Sequence, residues 1–214
     1  VTGIRLAGAV LAGGASSRMG SDKALLDVDG RRLVEVGLEA LDRVGVQERT
    51  VIGARAGWPP DLVARLGAAG IAMVPDTWPG EGPLGGIVSA LRGVTTGATP
   101  PATATADRTL LVLPCDLATV STAVLARLVD AVVDGATGAV LCVAGRPVPV
   151  IAALRTELGA PLEAAFLAGD RRADAVLRLS GVVLVDAGPD EAPVDLDDPD
   201  DLARWRSRAS GRPS

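Results

Sequence analysis

Apolar residues in this chain fall into short runs bounded by Gly, Pro and Asp, at 5–11, 50–54, 71–75, 109–113, 138–143, 148–154 and 182–186. Most of these runs are continuous. A half-exposed strand alternates apolar and polar residues, whereas a strand covered on both faces is apolar throughout. Between several runs the spacing changes to that of a helix. Val34, Leu38 and Leu41 share one face, and so do Val124, Leu128 and Val132 with Leu125 and Val129 beside them. Alternating strand and helix predicts an α/β fold with one open, mostly parallel sheet and helices on both sides.

The 214 residues, 48% hydrophobic and 22% charged, suit one compact domain. We expect it to span 1–206, with a mobile loop at 95–107, where Thr, Ala and Pro replace periodic apolar residues. Asp198-Pro199-Asp200-Asp201 starts a last helix by rule, with a capping Asp, Pro at the first helical position and acids at the positive end of the dipole. Leu202 and Trp205 should face inward, and a polar tail should follow at 207–214. No apolar run approaches the ~18 to 20 residues that span a bilayer. Leu6 to Ala12 mimics a targeting signal, but it is short and leads into the charged segment 18–23. Cys115 and Cys142 lie far apart on apolar segments and read as buried, reduced thiols, which suits a cytoplasmic protein.

Composition also removes chemistries. Histidine is absent, so histidine bases and HExxH zinc sites are excluded. Four aromatic residues and a net charge of −5 argue against nucleic acid and anionic membranes as partners.

The first run leads into Leu11-Ala12-Gly13-Gly14-Ala15-Ser16-Ser17-Arg18-Met19-Gly20-Ser21-Asp22-Lys23. Adjacent glycines after a strand let backbone N–H groups face an anion, and Ser16, Ser17, Arg18 and Lys23 add donors and charge. The spacing fits a polyphosphate cradle and matches neither GxxxxGK[ST] nor GxGxxG. Lys23 is the only lysine among 21 basic side chains. A compact ammonium reaches between phosphates where a planar guanidinium fits badly. The run 109–113 ends on Pro114-Cys115-Asp116, which places a carboxylate where ligands bind in open α/β sheets and where its oxygens could hold Mg²⁺. Asp76 occupies a similar place after 71–75, although a plain turn also uses Asp. The stretch from Gly80 through Gly82, Pro83 and Leu84 to Ile87 is a rigid loop that could press against a flat base or simply join strand to helix.

Together, Leu11 to Leu26, Gly82 to Ile87 and Pro114-Cys115-Asp116 resemble the molybdenum cofactor guanylyltransferases, within the nucleotidyltransferase group with a three-layer Rossmann-like fold. The first motif matches that family's LAGGxSxRMGxDKALL pattern without a gap. Similarity continues through Pro149 to Ala152, Leu167 to Arg172 and Pro199 to Trp205. The resemblance implies transfer of GMP from GTP to the terminal phosphate of molybdopterin, metal-free or molybdenum-loaded, with release of pyrophosphate. Leu11, Ala12, Gly13, Lys23, Asp76 and Asp116 occupy the family's GTP-binding positions, with Asp116 also the Mg²⁺ ligand. Gly14, Ser16, Gly82, Pro83 and Leu84 complete the expected binding set. Lys23, Arg18 and Asp116 are the expected catalytic residues, and molybdenum-cofactor carrier or insertion proteins are expected partners.

Three departures concern the acceptor half. The family closes on Asn-x-Asn-Thr-Pro-Glu-Asp-Leu, where this chain has Asp195-Leu196-Asp197-Asp198-Pro199-Asp200-Asp201-Leu202. Asp195 and Asp197 either replace the amides, with Asp197 a second metal ligand, or are acids preceding a helix. The family's His-Pro reads Val148-Pro149, and the proline after its PCD motif reads Ala118. Arg171 and Arg172 could receive a pterin phosphate or could be solvated surface. The competing readings are a molybdopterin cytidylyltransferase, a sugar-phosphate nucleotidyltransferase and a non-catalytic nucleotide-binding paralogue.

Overall fold

The computed structural model describes residues 5–13, 22–96 and 108–210. Seven strands form the central sheet: β1 (Arg5–Leu11), β4 (Glu48–Ile52), β5 (Ala72–Val74), β6 (Arg108–Pro114), β8 (Gly138–Val143), β9 (Arg146–Arg155) and β10 (Val182–Asp186), in the order β10-β8-β9-β6-β1-β4-β5. Only β9 runs antiparallel to its neighbours β6 and β8. The remaining four strands are short and form two ribbons, β2 (Asp27–Val28) with β3 (Arg31–Arg32), and β7 (Leu117–Thr119) with β11 (Val194–Asp195).

Successive side chains of the inner strands β1 and β6 enter different cores, which explains their unbroken apolar runs, whereas the edge strands β5 and β10 leave Met73, Val183 and Leu184 exposed. Leu6 and Val10 of β1, with Leu111 and Leu113 of β6, pack against α1 (Leu33–Arg43), α2 (Pro60–Ala68) and α4 (Thr122–Val133). Ala7 and Ala9, with Leu110 and Val112, pack against α3 (Pro83–Thr96) and α5 (Gly159–Leu167). A strand with both faces covered has no face to spare for polar residues. The expected faces of α1 and α4 are buried, with Val129 partly so. A third, small cluster joins Val28, Leu33, Ala118 and Leu196 to Trp205 of α6 (Pro199–Ser210), with Leu202 packed against it.

Local chemistry sets the helix starts. Ser121 Oγ accepts the Val124 N–H at the start of α4, and Glu35 accepts the Arg32 N–H at 3.0 Å before α1. At α6, Asp198 Oδ1 accepts the Asp201 N–H at 2.9 Å while Asp201 Oδ2 accepts the Asp198 N–H at 3.1 Å. This is a capping box built from two aspartates, with Pro199 at the first helical position.

Several expected boundaries move. Of the loop expected at 95–107, residues 95 and 96 belong to α3, and 97–107 lie outside the described residues. The tail expected from 207 is helical as far as Ser210. The strand expected at 50–54 ends at Ile52, because Gly53 turns to φ +78°. Both cysteines are buried and free, as expected, and no helix among the described residues is long and apolar enough to cross a membrane.

Candidate active site

The carboxyl ends of β1, β4, β5 and β6 meet at a cleft of about 600 Å³. One wall of the cleft is tied together by backbone. The Ala12 N–H donates to Ile52 O and the Gly53 N–H to Val74 O, both at 2.8 Å. Two glycines permit the approach. A Cβ on Gly53 would stand 2.7 Å from Gly13 Cα, and one on Gly13 would stand 2.9 Å from Asp76 Oδ2. Asp76 is fixed from behind: its Oδ1 accepts from Ser89 Oγ of α3 at 2.8 Å and from the Trp78 N–H at 3.0 Å. Asp76 Oδ2 is thereby left facing Gly13.

Lys23 enters on a single 3-10 turn, Lys23–Leu25. Asp22 organises that turn by accepting the Ala24 N–H through Oδ1 and the Trp58 Nε1–H at 2.8 Å through Oδ2. Trp58 is buried in the first core, so the distal end of the glycine-rich segment is anchored to the body of the protein. The Lys23 ammonium donates to Asp197 Oδ1 at 2.7 Å and lies 3.5 Å from Asp116 Oδ2. Burial opposes the charge on Lys23, but the Asp197 hydrogen bond and the attraction of Asp116 and Asp197 outweigh it and hold its pKa above the ordinary lysine value.

Asp116 stands just past β6. The Cys115 N–H donates to Leu11 O at 3.1 Å, and Asp116 O accepts the Leu196 N–H at 2.9 Å. Those two bonds hold the Pro-Cys-Asp corner between β1 and the C-terminal segment. Burial raises the Asp116 pKa and the Asp197 charge raises it further, against the pull of Lys23. The Cys115 thiol is pushed up to about 12, chiefly by burial, and so remains protonated at neutral pH.

The structure therefore brings Leu11, Gly13, Lys23, Asp76, Gly82, Pro83 and Asp116 to one cleft. Two expected binding residues lie behind it. Ala12 is buried in the first core and Leu84 in the second. Asp197 is exposed and reaches the site through Lys23, while Gly14, Ser16 and Arg18 lie outside the described residues. Gly53 was missed because it closes an apolar run. The opposite half of the cleft is lined by Val143, Val148, Val150, Ile151 and Pro193, with Asp195 as its carboxylate. Of the departures, Val148 and Asp195 thus face the same space, while Ala118 is buried in the third cluster. Among the described residues, no group of three or more Cys, Asp or Glu side chains could hold a metal ion.

The family model for the MobA-like NTP transferase domain matches residues 8–186. The chain is 41% identical over 121 residues to a molybdenum cofactor guanylyltransferase of Xanthomonas euvesicatoria, covering 56% of this chain and 52% of that protein. It is 30% identical over 211 residues to a probable molybdenum cofactor guanylyltransferase of Chloroflexus aggregans, covering 92% and 91%. A crystal structure of molybdopterin-guanine dinucleotide biosynthesis protein A from Archaeoglobus fulgidus shares the fold, with a TM-score of 0.69 at 23% identity over 96% of this chain and 99% of that one.

Proposed function

The chain belongs to the MobA-like NTP transferase domain family, and from that premise we propose that it is a molybdenum cofactor guanylyltransferase, a nucleotidyltransferase that transfers GMP from GTP to the terminal phosphate of molybdopterin. The observation that carries this reading is the meeting of Lys23 and Asp116, 93 residues apart in sequence, on the cleft that Gly13 and Asp76 wall. In the reaction an oxygen of the acceptor phosphate bonds to the α-phosphorus of GTP, the bond from that phosphorus to the β-phosphate bridge breaks, and pyrophosphate leaves with the bonding pair. The acceptor phosphate is ionised at neutral pH, so no base is needed and the absence of histidine costs nothing. The protein's task is alignment and charge neutralisation.

Gly13 and Asp76 receive the nucleoside end of GTP, and Lys23 faces its phosphates. A positive group fixed where charge develops can lower a barrier by about 3 kcal/mol. Asp116 and Asp197, which share the Lys23 ammonium as counter-charge, are the two carboxylates that would hold Mg²⁺ once Lys23 turns to the phosphates. Two carboxylates completed by phosphate and water oxygens are a set this ion accepts. Bound there, Mg²⁺ would offset negative charge on the phosphates. The apolar half with Val148 and Asp195 takes the acceptor. The functional unit is one domain over 1–206, working in the cytoplasm and exchanging its acceptor and product with molybdenum-cofactor carrier or insertion proteins.

The test is pyrophosphate release with Mg²⁺ and molybdopterin-loaded protein, comparing GTP, CTP, ATP and UTP. Turnover with GTP alone is the expected result. Turnover with CTP alone would make it a cytidylyltransferase, and GTP binding without release would remove the catalytic reading.

A further inference from the structure

We propose that Arg171 is a positioning residue for the nucleotide half of the cleft: it fixes the Gly80–Pro83 turn that walls that half, acting through the turn and touching no ligand. The inference rests on the reading of that half as the GTP site. Arg171 grips the turn at two points. Its carbonyl accepts the Leu84 N–H at 3.3 Å, and its Nε donates to Glu81 Oε2 at 2.7 Å. Gly82 passes between them at φ +92°, so close that a Cβ would stand 2.7 Å from the same Arg171 carbonyl oxygen. Glycine is the residue that accepts both that dihedral and that contact.

The grip is anchored from below. Arg171 Nη1 donates to Phe166 O at 2.7 Å and to Asp170 O at 3.0 Å, and the guanidinium lies over the Phe166 ring, 4.2 Å from its centroid. The Phe166 ring is 4.8 Å from that of Trp78, over which the Arg92 guanidinium lies at 5.0 Å. Trp78 belongs to the segment that carries Asp76, Gly80 and Gly82. A stack of Arg92, Trp78, Phe166 and Arg171 therefore joins that segment to the C-terminal end of α5. The Arg171–Glu81 pair is exposed on both sides and contributes little alone. The carbonyl bonds and the ring contact hold the arginine, and a planar fork can meet Glu81, two carbonyls and a ring at once where an ammonium cannot. With its guanidinium so engaged, Arg171 is arranged to hold protein rather than to receive a pterin phosphate.

The experiment is an equilibrium titration of the full chain with GTP and Mg²⁺, beside steady-state constants for GTP and for the acceptor. Arg171→Ala should raise the GTP Kd about tenfold, the scale expected for a small displacement of a binding wall, with kcat within about twofold of wild type and the acceptor KM unchanged. Arg171→Lys, which retains charge and part of the hydrogen bonding, should recover part of the loss. Gly82→Ala should reproduce the rise in Kd by pushing the turn off the carbonyl while leaving the Arg171 side chain intact, so the inference stands on a second variant if Arg171→Ala folds poorly. A rise in acceptor KM at unchanged GTP Kd would overturn the inference, as would a wild-type GTP Kd in folded Arg171→Ala. Wild-type protein that binds no GTP would overturn the nucleotide reading and this inference with it, whereas binding without turnover leaves the comparison of Kd values decisive.

Discussion

Gly53→Ala should damage this protein twice over, and the structure sets the size of each effect. The residue sits at φ +78°, and its added Cβ would lie 2.7 Å from Gly13 Cα and 2.9 Å from Gly13 N. The left-handed backbone conformation costs an L-residue about 1–2 kcal/mol. Relieving a contact onto backbone, which no rotamer change can do, adds about 1–3 kcal/mol. A total near 3 kcal/mol corresponds, for a chain of this length, to a Tm lowered by about 6–12 °C. The second effect is on the ligand. To restore an ordinary carbon–carbon separation Gly13 must retreat by roughly 1 Å, and a misplacement of that size in a site can cost about 100-fold in rate. Thermal melting and GTP-dependent pyrophosphate release, both measured well below the variant's Tm, separate the two losses. The expected variant is folded at the assay temperature, with kcat/KM for GTP reduced by about two orders of magnitude. A Tm within about 1 °C of wild type, or a lowered Tm with unchanged kcat/KM, would show that the Gly13–Gly53 approach does not set the cleft.

The other predictions concern the charged residues. Lys23→Ala should lower kcat by about 100-fold or more, the scale seen when one fixed charge-stabilising group is removed, and should lower the Tm as well, because Asp116 and Asp197 then face each other without their shared counter-charge; near-wild-type turnover would place the phosphate-facing charge elsewhere. Asp116→Asn should abolish metal-dependent turnover without lowering the Tm at pH 7. Its folded pKa is raised, so the charged form is the one that folding disfavours, and an amide relieves that penalty above the pH at which Asp116 itself protonates; a markedly lowered Tm would contradict the sign. Glu191, held down to about 2 by Arg127 and the Gly188 N–H, contributes stability that is fully present above the ordinary carboxylate value of 4.5 and is lost as the pH falls through about 2. Glu191→Gln should therefore melt lower at pH 7, with the difference from wild type closing across that acid window; a constant difference down to pH 2 would argue against it.

What could be read from the sequence followed from how continuous each signal was. The inner strands β1, β6 and β8 were legible because cores on both faces make them apolar almost throughout, and α1 and α4 because each buries a full stripe. Helix α2 buries only Leu62 and Leu66 behind two prolines, so its period is too short to register. Helix α5 is apolar around most of its surface and buries only Leu162 and Phe166. It offers no contrast between faces for a period to mark. Lys23 stood out as the lone lysine and Asp116 by its position just past an apolar run. Gly53 did not, since a glycine ending an apolar run looks like part of the strand until its dihedral is known. The apolar half of the cleft is formed where β8 and β9 meet the segment before β11, a long-range juxtaposition that no local spacing encodes. Leu84 shows the converse: it follows the turn that lines the cleft, yet its side chain serves the core beneath that turn.

The hydrogen bond from Lys23 to Asp197 closes a loop of 174 residues. Bringing chain ends together over such a distance is slow to achieve by diffusion and is rewarded only when the intervening sheet is already in place. The cleft is accordingly a late product of folding. A growing chain that has emerged past Asp116 but not past Asp197 has the sheet edge and the lone ammonium, while the segment that clasps them is still missing. Nucleotide should then stabilise the finished protein far more than any such intermediate, by the logarithm of its concentration over Kd. GTP would thus act for this enzyme as substrate and, during its own biogenesis, as a selector for completed molecules.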